Sequence, residues 1–466
     1  MRLFAYSILL LLLFAACKKG NDPSIASVEP DEQYVGGING TTFDFGQNAF
    51  GGQVDGLSAD ERGFFVVGNS FFRSNWITAP ASVQSLDGLG PIFNAISCGS
   101  CHFKDGRAKP PSQAEETLNG LLFRLSIPGT DPYGGPLGDP VYGGQLQDKA
   151  LLNVLNEARI RVIYQEISGQ YTDGTPYSLR QPSYDFIDLN YGPFAPGIMF
   201  SPRIAPQMPG LGLLEIVPDA DILVFADEND SDKNGISGKA NQVWDAEKQQ
   251  VVLGRFGWKA NQPNLSQQTA GAFNGDLGIT SNLFPQDHLS TTQQQQYPNL
   301  PNGGTPEITE DLFQKVVSYN RTLAVPARRD HDDVTVLRGK FLFSQLHCSG
   351  CHRPEMNTGT GGSIAALHNQ KIRPYTDLLL HDMGPELADN RPDFLATGIE
   401  WRTPPLWGIG LIPTVNAHSF LLHDGRARNI EEAILWHGGE SEKSRDEFKK
   451  LNKTDRDALL KFVESL

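Results

Sequence analysis

A mainly α fold in two halves, with a long mixed α/β insertion in the N-terminal half, is what the sequence predicts. Three observations predict it. A Cys-x-x-Cys-His pentad occurs once in each half, apolar residues at helical spacing precede each pentad, and the stretch between them is rich in Gly and Pro with short strand-like runs. At 466 residues, 39% of them hydrophobic, the chain is long enough for two or three domains with apolar cores.

The N-terminus reads Met1, Arg2, then an apolar run over 3–16 that ends at Cys17. That is the layout of a bacterial signal peptide with a lipoprotein cleavage site, and the run is shorter than the ~20 apolar residues of a spanning helix. Ala15-Ala16-Cys17 resembles a lipobox, with Phe14 where the pattern usually has leucine. The expectation is a signal peptide over 1–16, lipidation at Cys17 and a polar tether over 17–55. The protein is then an exported lipoprotein on the periplasmic face of a membrane or on the cell surface, attached through its lipid alone.

Residues 57–72 read as a helix, with Ser58 as N-cap and Phe64, Phe65 and Phe72 as its apolar surface. Between the pentads, 121–127 and 222–225 read as strands, and 291–306, with its Gln, Pro and Asn, as a loop. Helices follow over 309–323 and 334–346, the latter turning Leu337 and Phe341 to a core. Thr454 caps a last helix over 455–466 whose Leu459, Phe462, Val463 and Leu466 share a face. The domains expected are an N-terminal unit over 56–300, including the insertion, and a C-terminal unit over 301–466.

Apart from Cys17, all four cysteines lie in the pentads Cys98-Gly99-Ser100-Cys101-His102 and Cys348-Ser349-Gly350-Cys351-His352. Two thiols three positions apart add to the two vinyl groups of one haem, and the next histidine offers its imidazole to the iron. A four-cysteine zinc site, a disulfide or a thioredoxin-like pair would each leave the histidine after both pairs unexplained. The cofactors expected are therefore two covalently bound haems c. Helix, haem motif, loop with ligand and terminal helix is also the order of a class I cytochrome c domain, so the fold class is sharpened to two such domains plus the insertion.

A net charge of −15 argues against nucleic acid as a partner, because no basic stripe exists to neutralise phosphates. An acidic surface can instead steer basic redox proteins. Asp230-Ser231-Asp232-Lys233-Asn234-Gly235 matches the first half of a calcium loop, with Asp230, Asp232 and Asn234 as candidate ligands and Asn241 where a closing Glu is usual. The alternative is a plain Asx-rich turn.

Further segments carry a family resemblance. They are Gly88-Leu89-Gly90-Pro91-Ile92-Phe93-Asn94, Gly254-Arg255-Phe256-Gly257-Trp258-Lys259-Ala260, Leu380-His381-Asp382-Met383-Gly384, Arg402-Thr403-Pro404-Pro405-Leu406, His423-Asp424-Gly425 and His437-Gly438-Gly439-Glu440. With the pentads they make the chain resemble the di-haem oxidoreductase family, relatives of bacterial di-haem cytochrome c peroxidases and of MauG. The resemblance implies that one haem meets hydrogen peroxide at an open iron face while the other, of higher potential, supplies electrons taken from a small redox protein. It also implies an inter-haem tryptophan at Trp258, an active-site glutamine at Gln268 and an active-site carboxylate at Asp276, which is Asp where the relatives have Glu.

His102 and His352 are the proximal iron ligands in this reading. No histidine lies between His102 and His288, which favours an open N-terminal iron or one closed by Met199, Met208 or His288. For the C-terminal iron Met383 is the first choice of sixth ligand, because a thioether raises the potential; His381 and Met356 are rivals. His423 and His437 are read as partners of propionates or loops. Two other functions stay open: a non-catalytic di-haem electron carrier, and a MauG-like oxidase acting on a sulfur compound or a protein side chain.

Overall fold

The computed structural model describes residues 24–466. The expected signal peptide and Cys17 lie outside the described residues. Among the described residues no helix is long and apolar enough to cross a membrane.

The elements that position the site are, in chain order, α1 (Ala59–Arg73), β1 (Leu121–Thr130), β2 (Arg159–Gln170), β3 (Pro176–Ile187), β4 (Met199–Ile204), α2 (Leu265–Leu277), α3 (Glu310–Thr322), α4 (Val334–Gln345), β5 (Leu380–Asp382), β6 (Glu400–Arg402), α5 (Ile430–Leu435) and α6 (Lys453–Ser465). Helix makes up 30% and strand 19%, so the protein is not mainly α as the sequence predicted. The difference lies between the pentads. There β1 pairs antiparallel with β4, from Leu121 opposite Ile204 to Ser126 opposite Met199, and β2 and β3, twelve residues each, form a hairpin. The hairpin tip reaches the C-terminal half, where Thr172 donates to the Lys449 carbonyl and the Tyr171 ring meets Phe448.

A shared device precedes each pentad. Helix α1 crosses α3 at Gly68, where a Cβ would lie 2.1 Å from the Lys315 carbonyl oxygen; α4 crosses α6 at Gly339, where it would lie 2.0 Å from that of Ala458. Only glycine permits backbones this close. Helix α1 starts at the N-cap expected, Ser58, and Glu61 returns the bond to complete a capping box. Phe65 and Phe72 are buried with Gly68 on one face, whereas Phe64 points outward under the Lys315 ammonium. In α4 the buried set is Val336, Gly339, Leu342 and Phe343, with Leu337 and Phe341 only half-buried. The α6 face is as expected, but Asn452, not Thr454, caps it.

Three local expectations are corrected. The stretch after residue 29 is no free tether: Val35, Ala49 and Phe50 are fully buried, Glu32 pairs with Arg328, and Thr41 pairs with Val325. Residues 222–225 do not form a strand; Ile222 lies in a short helix, Asp219–Leu223, with Asp219 and Asp221 in its first turn. Within 291–306, Ser290 and Gln293 form a capping box that starts helix Thr291–Gln296, and Gln293 is buried with its amide donating to Glu157.

Candidate functional site

Both pentads open on one largely apolar cavity with about 390 Å³ of water-accessible space. Residues Cys98–Cys101 form one helical turn capped by Ser97, whose hydroxyl accepts from the Ser100 amide. All four thiols are free, and burial pushes those of Cys98, Cys101 and Cys348 up to about 12.

The two pentad histidines are held alike. His102 Nδ1 donates to the Pro206 carbonyl at 2.7 Å and His352 Nδ1 to that of Tyr375 at 2.9 Å. Each bond fixes the tautomer and leaves Nε2 with a lone pair toward the cavity, the orientation that a metal-binding imidazole needs. Burial lowers both pKa values, that of His352 to about 4, so both rings are neutral at physiological pH.

Charge on the walls tests whether a porphyrin fits. Arg107, Arg124 and Arg402 all line the cavity, and among the described residues none forms an ion pair; Arg107 Nε is buried without any partner. Burial lowers Arg107 to about 9 and Arg402 to about 10. A buried cation without a counter-ion costs several kcal/mol. Two haems carry four propionates, so the cavity offers cations where the cofactor brings anions, and the residues present fit the group.

The structure brings together the three residues inferred for peroxide chemistry. Gln268 and Asp276, two α2 turns apart, and Trp258 all line the cavity. Asp276 accepts a 2.8 Å bond from Gln145, its backbone carbonyl holds the amides of Asn94 and Ala95 just before the first pentad, and burial raises its pKa against the pull of Arg124. Trp258 is tied to both sides: its indole donates to Ile204, its carbonyl accepts from the Arg402 amide, and the Arg107 guanidinium lies 5.2 Å from its ring.

Met383 also lines the cavity, on the wall near the second pentad. Its rivals are placed otherwise. His381 donates to Asp377 and Glu440, both at 2.8 Å, so neither nitrogen is free, and Met356 is core on a strand away from the cavity. Met199 and His288 do not line the cavity, and Met208 does, two residues from the carbonyl behind His102. His423 lies flat on Trp401, ring centroids 3.8 Å apart.

In the acidic loop, the oxygens that lie within 4.8 Å of one another belong to Asp227, Asp230 and Asp232. Asn234 instead donates to Asp232 and accepts from the Ile236 amide, and Asn241 is buried on the Lys259 and Asp393 carbonyls.

Sequence reasoning missed the three arginines, Asp227 and Trp401, which faces the cavity with Lys259 Nζ 4.6 Å from its ring. Only Arg402, inside a matched segment, carried a signal; Arg107 and Arg124 carry none, because only tertiary folding aims them inward.

Accommodating two haems is what this cavity and its charges are suited to, and that puts the protein among the di-haem redox proteins. Within that class the chain belongs to one family, described as "Di-haem oxidoreductase, putative peroxidase", whose model matches residues 31–466. It is an oxidoreductase with peroxidase character. No curated protein and no solved structure matches it.

Proposed function

We propose that the protein reduces hydrogen peroxide with electrons from a small redox protein, using two haems c. In this reading Cys98 and Cys101 bind one haem and Cys348 and Cys351 the other as thioethers, with His102 and His352 on the irons. Bound there, the haems supply the one-electron carriers that a two-electron reduction needs.

The chain's own groups do the rest. Peroxide enters beside Gln268 and Asp276; Asp276 moves a proton from the inner to the outer oxygen, so that water leaves rather than hydroxide. The Arg124 charge, close enough to act on Asp276, stabilises negative charge as the bond breaks. Trp258 relays electrons between the halves. The observation that carries the proposal is that both pentads share one cavity with Asp276 and Gln268 on its wall and Trp258 bonded to both sides. Its test is peroxide-dependent oxidation of a reduced small electron carrier by the haem-loaded protein; no oxidation above that of free haem rejects it.

The same proposal includes export and a lipid anchor at Cys17, in keeping with c-type attachment outside the cytoplasm, and two haem-bearing units meeting near residue 300. Helix α3, beyond that point, packs on α1 and α2. Calcium binds the acidic loop through Asp227, Asp230 and Asp232. Isothermal titration is expected to show one calcium site that Asp230→Asn removes; an unchanged isotherm rejects it.

A further inference from the structure

Three cavity histidines share one arrangement, and only two of them belong to a pentad. His437 follows α5, and its Nδ1 donates to the Ala433 carbonyl at 2.6 Å. As in His102 and His352, that bond fixes the proton on Nδ1 and leaves the Nε2 lone pair available. Among the described residues no protein group bonds that second nitrogen, and His437 lines the cavity. Ile430, Ala433, Ile434 and His437 recur at helical spacing and line it together, an apolar face ending in an imidazole. His437 also lies close enough to His352 for a charge on one to disfavour a charge on the other.

We infer that His437, rather than Met383, supplies the second iron ligand of the C-terminal haem. The inference rests on the proposal that a haem is attached at Cys348 and Cys351. Met383 stands on the same wall, its carbonyl oxygen 3.0 Å from where a Cβ on Gly438 would lie, and its sulfur has only one long contact, with the Ser441 hydroxyl. The one proton of the Ser441 hydroxyl goes to the Gly438 carbonyl at 2.7 Å, and the sulfur lies 3.9 Å from that hydroxyl. An imidazole held by a short hydrogen bond is preorganised for a metal, whereas a free thioether must give up rotamer freedom to bind. His381 has both nitrogens on carboxylates, and His423 is stacked on Trp401.

A second imidazole in place of a thioether lowers the haem's potential. The electron donor is then a carrier of correspondingly low potential, and the C-terminal haem is not the high-potential partner that a methionine would make it.

The test uses the full-length holoprotein and its variants His437→Ala, Met383→Ala and His437→Met, read by electron paramagnetic resonance and redox titration after the haems are counted as pyridine complexes. Expected is loss of the C-terminal low-spin signal in H437A with recovery on adding imidazole, an unchanged low-spin signal in M383A, and a raised potential in H437M. A low-spin C-terminal haem in H437A, or its loss in M383A, overturns the inference. If H437A fails to take up haem, the potential of H437M decides: a rise supports the assignment and no change overturns it. Fewer than two haems in the unsubstituted protein would instead mark failure of the underlying proposal.

Discussion

Replacing Asp276 by Asn is expected to lower peroxide turnover by about 10²–10⁴-fold with both haems retained. The carboxylate is the ionisable group that α2 presents to the cavity near the first pentad, and its neighbours hold it by bonds that an amide can keep. Gln145 still finds an acceptor at Oδ1, and the backbone bonds to Asn94 and Ala95 are untouched. What Asn loses is the capacity to take a proton from one peroxide oxygen and give it to the other. Asp276→Glu keeps that capacity and adds a methylene of reach, so it is expected to retain most of the turnover. Steady-state peroxide consumption with a reduced donor measures both. A D276N enzyme within about tenfold of the parent would show that another group moves the proton.

Lys259→Met is expected to destabilise the fold by about 3–5 kcal/mol. The Lys259 ammonium is fully buried and bonds Asp389 at 2.7 Å together with the Arg391 and Thr397 carbonyls. Burial draws its pKa down to about 8, so it remains mostly charged at neutral pH. Methionine fills the volume but leaves the Asp389 carboxylate without that cation and two carbonyls without a donor. Thermal unfolding followed by circular dichroism is expected to show Tm lowered by roughly 5 °C or more. An unchanged Tm would mean that Arg203, 3.9 Å from Asp389, compensates alone.

What the sequence revealed was chemistry confined to a few consecutive residues. The pentads, the Ser58 N-cap and the apolar face of α6 are each written within one or two helical turns, and the structure contains each of those local elements. The β-rich middle was less legible. Ile160 and Val162 are buried on alternate positions of β2, but polar residues toward the tip interrupt the pattern, and the tip is fixed by distant partners such as Glu431 and Phe448. A four-residue apolar run like 222–225 does not distinguish strand from helix by periodicity; the acidic first turn after Pro218 was the better guide. At the site, Trp258, Gln268 and Asp276 were reached through resemblance. The cavity arginines without ion pairs were not, because only folding brings Arg107, Arg124 and Arg402 to the wall of one cavity.

The most direct test of peroxide reduction at one haem fed by another is the electron paramagnetic resonance spectrum of the oxidised holoprotein before and after hydrogen peroxide. Expected is one high-spin signal, from an N-terminal iron with an open face, that peroxide abolishes, beside a low-spin signal from the C-terminal haem. Two low-spin signals that peroxide leaves untouched would contradict it and make the protein an electron carrier.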